Sequence, residues 1–284
     1  MFSPDQHQLL DFGQGRKLER FGGLILDRPC PAAEAFPRNR PALWRQADAR
    51  YQRGRGNQGE WSPVLESPWT IQHGQAVLEL KPTPFGHLGV FVEQAENWDW
   101  IAAQIVACPK PLKVLNLFAY TGGSTLAAAA AGAEVVHVDA SRSATAWARG
   151  NASLSGLREA PIRWIVEDAR KFVRRECKRG NRYDAVILDP PSYGHGPKGQ
   201  VWKVENDLPD LLAGCAELTA GREAFLLLTC HSPEVSAKRA EAMLKAAFKP
   251  FRKTAGQHRA GELSLRDPQG RELPCGVAAR WSAG

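Results

Sequence analysis

Five short apolar runs recur along the second two-thirds of the chain. They read K-V-L-N-L-F-A (113–119), E-V-V-H-V-D (134–139), I-R-W-I-V-E-D (162–168), Y-D-A-V-I-L-D-P-P (183–191) and A-F-L-L-L-T-C (224–230). Between them lie stretches with helical spacing, such as S-T-L-A-A-A-A-A-G (124–132) and S-A-T-A-W-A-R-G-N-A-S-L (143–154). Strands that are almost continuously apolar must be covered on both faces, so the alternation predicts a parallel sheet sandwiched by helices. The tail adds G-E-L-S-L-R and C-G-V-A-A-R-W joined by D-P-Q-G, a hairpin for the sheet edge. That makes seven strands, the last pair antiparallel.

Residues 1–95 have another texture. L-L-D-F-G-Q-G-R-K-L-E-R-F-G-G-L-I-L-D-R-P breaks into short strands at its glycines, and W-T-I-Q-H-G-Q-A-V-L-E-L predicts a hairpin turning at H-G-Q. Between them Arg38, Arg40, Arg45, Arg50, Arg53 and Arg55 alternate with Trp44, Tyr51 and Trp61. Arginine among aromatics can hold phosphates and stack on bases. It can equally be a solvated loop pinned to the core by its rings, and the pattern leaves both open. The reading is therefore a β-rich substrate-side domain at 1–95 followed by an α/β domain at 96–284.

Composition narrows the class. With 43% hydrophobic and 24% charged residues over 284 positions, the chain has the make-up of an ordinary globular protein. No run approaches the roughly 18 apolar residues of a membrane span, and the first residues lack a basic, then apolar leader. The expectation is a cytoplasmic protein with no membrane partner. The six cysteines are scattered without a C-x-x-C pair, so no metal and no disulfide framework is expected. The net charge of +7 leans toward a polyanionic partner. The surplus lies beyond residue 95, where 26 Lys and Arg face 20 Asp and Glu.

V-L-N-L-F-A-Y-T-G-G-S-T (114–125) is a strand, a glycine turn and a helix start, where Gly122 and Gly123 allow close backbone approach to a ligand. The spacing is not G-x-G-x-x-G, and no P-loop lysine follows. Asp139 ends the next strand, where a carboxylate can accept both ribose hydroxyls of an adenosine. Asp168 ends the third strand, placed to accept from an adenine amino group. Either acid could instead cap the following helix. Together they describe an adenosine cofactor without a pyrophosphate, and S-adenosylmethionine fits best. In D-P-P-S-Y-G (189–194) two prolines stiffen the backbone and direct carbonyls into the crevice, with Tyr193 available to stack on a base.

These motifs, with A-R-G-N-A, V-E-D-A-R-K-F and L-L-L-T-C-H-S, resemble in order and spacing the class I methyltransferases of bacterial 23S ribosomal RNA. The resemblance covers roughly residues 75–284 and is greatest to the branch that methylates cytosine at carbon 5. It implies α/β architecture, a Rossmann-like doubly wound seven-stranded sheet of order 3-2-1-4-5-7-6 with the last strand antiparallel, beside the smaller β-rich N-terminal domain. It implies S-adenosylmethionine as cofactor and ribosomal RNA as partner. The implied cofactor contacts are Phe118, Ala119, Tyr120, Thr121, Gly122, Gly123, Asp139, Ala140, Ser141, Asp168, Ala169, Asp189 and Pro190. G-H-L-G-V-F-V-E-Q resembles a linker whose Phe91 and Gln94 close over the cofactor. Pro191, Ser192, Tyr193, Lys203 and Asn206 would face substrate, joined by Arg50 and Arg53. The chain departs from the family in lacking a recognisable PUA module, in D-P-P-S for D-P-P-K and in T-C-H-S for S-C-S.

Carbon 5 of a pyrimidine is too weakly basic to take a methyl group unaided. A thiolate adding at carbon 6 supplies the missing electron density. Cys230 ends the fifth strand, and in the resembling enzymes the matching cysteine is the nucleophile. Asp189 would stabilise or protonate the base, and His231 would lower the thiol's pKa or act as base. The competing reading is a buried cysteine that finishes a strand. An amino-group methyltransferase working through D-P-P-S-Y, a small-molecule methyltransferase and a nucleotide-dependent oxidoreductase are the other functions weighed. The basic run 170–182 leads into the amino end of the fourth strand, so it reads as a solvated helix face.

Overall fold

The computed structural model describes residues 1–54, 58–195, 201–250 and 256–283. The chain forms two compact units, Met1–Glu96 with Ser264–Cys275, and Asn97–Leu263 with Gly276 onward. The boundary falls one residue beyond the position at which the sequence changes texture. The tip of the tail hairpin groups with the first unit.

The first unit carries β1 (His7–Gly13), β2 (Arg16–Phe21), β3 (Leu24–Pro29), β4 (Ala49–Arg53) and β5 (Gly59–Ser62), hydrogen-bonded in that order. β6 (Trp69–His73) and β7 (Ala76–Leu80) form the hairpin expected at H-G-Q. The register of β1 against β2 slips between Leu9 and Asp11, a bulge that re-aims one side chain. Asp11 is fully buried and accepts from the backbone amides of Phe12, Asn39 and Arg40, from the Trp44 indole at 2.7 Å and from Arg271 in the hairpin tip. A buried carboxylate is tolerated only with such a set of donors. Trp44 and Tyr51 are core residues, 6% and 1% exposed, and Arg38 stacks on Trp44 at 3.8 Å. Of the two readings of the arginine–aromatic segment, the structure supports anchoring for Trp44 and Tyr51. Arg55 lies outside the described residues.

The second unit begins within α1 (Ala95–Ala107) and continues with β8 (Lys113–Leu117), α2 (Gly123–Ala130), β9 (Glu134–Asp139), α3 (Arg142–Leu154), β10 (Ile162–Val166), α4 (Ala169–Lys178) and β11 (Ala185–Leu188). It follows with β12 (Tyr193–His195), β13 (Val201–Lys203), α5 (Val204–Thr219), β14 (Phe225–Cys230), α6 (Ala237–Phe248), β15 (Gly256–Arg266) and β16 (Glu272–Ala283). The sheet order is β10-β9-β8-β11-β14-β16-β15, which is the expected 3-2-1-4-5-7-6. β16 runs antiparallel to β14, with Cys230 opposite Val277. The main core packs Leu226, Leu228 and Trp281 of the sheet against Phe172, Leu212 and Phe248 of the helices. The sequence reading missed β4 and β5, whose residues it took for a basic loop, and a ribbon in the second unit. After D-P-P-S the chain forms a small antiparallel ribbon, β12 with β13, pairing Tyr193 with Lys203.

Parallel pairing of β8, β9, β10, β11 and β14 puts their carboxyl ends along one edge. In open α/β sheets that edge is where ligands bind. Beneath it the Thr125 hydroxyl bonds the Asn116 amide and His137 Nδ1, each at 2.9 Å. Burial holds the His137 imidazole neutral, its pKa pushed down to about 3.

Candidate active site

The turn after β8 is tightly wound. Phe118 and Tyr120 adopt left-handed backbone at φ +56° and +49°, and Gly122 caps α2 at φ +94°. Non-glycine residues there carry strain of about 1–3 kcal/mol each, which surrounding bonds must offset. Those bonds are present. Ala119 N–H donates to the Val138 carbonyl, Tyr120 N–H to Asp139 Oδ2 at 2.8 Å, and the Asn151 amide to the Thr121 carbonyl at 2.9 Å. Ser141 N–H donates to the other Asp139 oxygen at 2.8 Å. Burial pushes the Asp139 carboxyl up, while the Ser141 and Tyr120 amides pull against that. Each carboxylate oxygen keeps a second lone pair, the capacity that a ribose diol needs. Ala140 follows in the short connection to α3, which Ser141 caps by accepting from Ala144 N–H.

Gly123 has a packing reason of its own. A Cβ there would come within 2.3 Å of the Trp98 ring. Gly123→Ala is therefore expected to destabilise the unit by about 1–3 kcal/mol. Thermal denaturation would show this as a Tm drop of roughly 2–12 °C.

Asp168 caps α4, accepting from Lys171 N–H at 3.1 Å, and sits 3.5 Å from Arg170. The capping alternative is thus realised, and Ala169 opens the helix behind it. Arg170 also donates to Asp207 at 2.6 Å, and Asp207 accepts from Lys203 N–H at 2.8 Å. A polar chain therefore links the end of β10 to the start of α5, where Lys203 and Asn206 are exposed.

The D-P-P-S loop is held from within. Asp189 and Pro190 directly follow β11, the Pro191 carbonyl accepts from the Trp202 indole at 2.6 Å, and the Ser192 carbonyl accepts from Val204 N–H. The loop's carbonyls at Pro191 and Ser192 thus serve the β12–β13 ribbon, where sequence reasoning aimed them at the crevice. Trp202 is 5% exposed and packs on Phe118 at 5.0 Å, joining the glycine turn to this loop. On the ribbon Tyr193 is 54% exposed. Trp202→Phe keeps one aromatic ring but loses the indole N–H and the second ring. It should cost about 2–3 kcal/mol of stability, a lost hydrogen bond plus a cavity. Chemical denaturation of the variant beside wild type checks this.

At the end of β14, Thr229 donates to Asp189 Oδ1, and His231 Nε2 lies 3.2 Å from the same oxygen. Cys230, between them, is 1% exposed and packs with the core. Burial pushes its thiol up, reinforced by the Asp189 charge and opposed by the Ser232 amide. Gly276 makes room for this turn. It sits at φ +144°, and a Cβ would come within 2.7 Å of the Cys230 carbonyl and 2.9 Å of His231 Nδ1. Thr229, Trp202, Arg170 and Gly276 were not singled out from sequence, because each acts through a partner tens of residues away.

The remaining candidates belong to the first unit. Phe91 packs edge-on against His87 at 5.6 Å, and Gln94 is buried in the turn that follows. Arg50 donates to buried Asp27 at 2.7 Å, which Arg16 shares. Arg53 is exposed at the end of β4. Among the described residues no helix is long and apolar enough to cross a membrane, and no group of three or more His, Cys, Asp or Glu is placed to hold a metal ion.

The chain is similar to known proteins. A family model described as S-adenosylmethionine-dependent methyltransferase matches residues 59–234. The crystal structure of an S-adenosylmethionine-dependent methyltransferase from Agrobacterium tumefaciens superposes with a TM-score of 0.90 at 38% identity, covering 98% of this chain and 90% of that one. The ribosomal RNA large subunit methyltransferase I of Aeromonas salmonicida is 33% identical over 147 residues, 51% of this chain and 36% of the relative. The ribosomal RNA large subunit methyltransferase K/L of Shewanella baltica is 34% identical over 111 residues, 38% of this chain and 15% of the relative. The chain thus spans about a third or less of the length of these two curated relatives.

Proposed function

The chain belongs to the S-adenosylmethionine-dependent methyltransferase family, and from that premise we propose that it methylates ribosomal RNA at carbon 5 of a cytosine with Cys230 as nucleophile. The observation that carries the chemistry is the cluster at the carboxyl ends of β11 and β14. There Asp189 Oδ1 engages both Thr229 and His231, the two neighbours of Cys230. Ribosomal RNA as substrate is supported by the names of the sequence relatives and by the net charge of +7.

The cofactor fits the turn after β8. Gly122 at φ +94° leaves the backbone bare, and Asp139 keeps acceptor capacity beyond its two amide donors. We assign it to Phe118–Gly123, Asp139 and Ser141, with Asp168 and Ala169 at the adenine side. When bound, S-adenosylmethionine supplies an electrophilic methyl group. The protein's own groups do the rest. Asp189 holds His231 in the tautomer with the proton on Nε2, leaving Nδ1 basic. His231 accepts the thiol proton as the Cys230 sulfur bonds carbon 6, and the electron pair of the 5–6 double bond moves to carbon 5. After methylation the carbon-5 proton leaves to the Asp189 carboxylate and the double bond re-forms. The sulfur departs and recovers its proton from His231. Tyr193 and Lys203 lie opposite each other on the ribbon, and in this reading they stack on a neighbouring base and meet its phosphate.

One observation favours a second reading. A thiol 1% exposed has the surroundings of a core residue. In an amino-group methyltransferase the chemistry would fall to Asp189–Tyr193 and leave Cys230 structural. Nucleoside mass spectrometry of ribosomal RNA incubated with labelled S-adenosylmethionine decides between them. Labelled 5-methylcytidine supports the proposal, and a labelled N-methylpurine overturns it.

A further inference from the structure

The first unit contains a cavity of about 260 Å³ that the chemistry above does not use. Lys17 of β2, Arg28 of β3, Arg53 of β4, and His87, Phe85 and Glu93 from the segment after β7 are among its walls. Three cations thus meet one carboxylate on the lining. A second carboxylate, Glu19, lies fully buried and is shared. It takes Arg28 at 2.5 Å, Lys17 at 3.1 Å and His7 at 3.2 Å. Arg28 commits its guanidinium to Glu19 and to the Gly86 carbonyl. Lys17 keeps donors beyond its single ion pair, and Arg53 pairs with no carboxylate among the described residues.

We propose that this cavity is a subsite for one phosphate of the substrate RNA strand, held by Lys17 and Arg53 with His87 donating a hydrogen bond. The assignment rests on the reading of RNA as substrate. The volume lies just below the roughly 300–1,000 Å³ of pockets that enclose drug-sized ligands, so it suits a phosphate with its sugar rather than a whole nucleotide cofactor. Phe85, half exposed at the wall, offers an apolar surface to that sugar. At His87 the surrounding charge is positive. Burial first, and then Arg28, Lys17 and Arg53, hold the His87 imidazole below its ordinary value, with no carboxylate acting on it. A neutral histidine beside two under-used cations is a donor set for an anion.

The test follows the imidazole signals of the whole chain by NMR across pH, with and without inorganic phosphate, in wild type, Arg53→Gln and Lys17→Met. Phosphate should raise the His87 midpoint in wild type, because an anion offsets the cations, and should do so more weakly in either variant. In parallel, the salt dependence of RNA binding should lose about 0.7–1 from its log–log slope in Arg53→Gln, with S-adenosylhomocysteine affinity unchanged. A His87 midpoint indifferent to phosphate overturns the site. A responsive midpoint with an unaltered salt slope overturns RNA as the source of the phosphate. Should the wild type methylate no RNA, the earlier reading of function fails, and the His87 response still decides whether the anion site exists.

Discussion

Cys230→Ala should abolish carbon-5 methylation, with a rate loss of at least about 10³-fold, because without the sulfur carbon 5 has no route to nucleophilicity. The substitution removes one small buried group and should cost the fold only about 1 kcal/mol, so S-adenosylhomocysteine binding should persist. The pH profile adds an independent signature. Burial places the thiol above its ordinary value, so the thiolate is a minor species at neutral pH and the wild type relies on His231 to take the proton. His231→Ala should be slow at neutral pH, with kcat/KM climbing at a slope near +1 through pH 7 to 8.5 as the thiolate fraction rises about tenfold per unit, where the wild type is flatter. Full turnover by Cys230→Ala would make Cys230 a core residue.

Asp139→Ala should weaken S-adenosylhomocysteine binding by at least roughly 100-fold. Hydrogen bonds to a charged acceptor contribute about 1.5–3 kcal/mol each, and a ribose diol makes two. Part of the loss comes from the protein alone. Asp139 also accepts from Tyr120 N–H at 2.8 Å, so the alanine variant frees a turn that holds two residues in left-handed backbone. Asp139→Asn separates these contributions, because it keeps one acceptor oxygen and should lose only about tenfold. Isothermal titration at neutral pH, beside thermal denaturation of both variants, reads each contribution. An alanine variant that binds within threefold of wild type would remove Asp139 from the cofactor site.

Much of the second unit was legible in the chain. A strand buried on both faces must be an apolar run, and a tight strand-to-helix turn needs glycine. An acid at a strand end stands where the chain leaves the sheet. These are local requirements, met by neighbouring residues, so β8 to β14 and the positions of Gly122, Asp139, Asp189 and Cys230 follow from windows of a few residues. Even the order of the sheet was recoverable through resemblance. What an exposed-looking arginine or a proline loop does was not recoverable in this way. Arg50 lies in a basic stretch that suits nucleic acid, yet its guanidinium is claimed by buried Asp27, twenty-three residues earlier. The Pro191 carbonyl belongs to Trp202, and Asp11 draws in Arg271 from the far end of the chain.

The sequence by itself determined the α/β alternation, the cofactor class and a short roster of reactive side chains, because periodicity and turn chemistry act between adjacent residues. Only the tertiary structure decided which of those side chains are already engaged. It sets His231 beside Asp189, leaves Gly276 bare beside the Cys230–His231 turn, and gathers Lys17, Arg53 and His87 around one cavity. Such partners are set by the packing of distant strands, and no window along the chain contains both members.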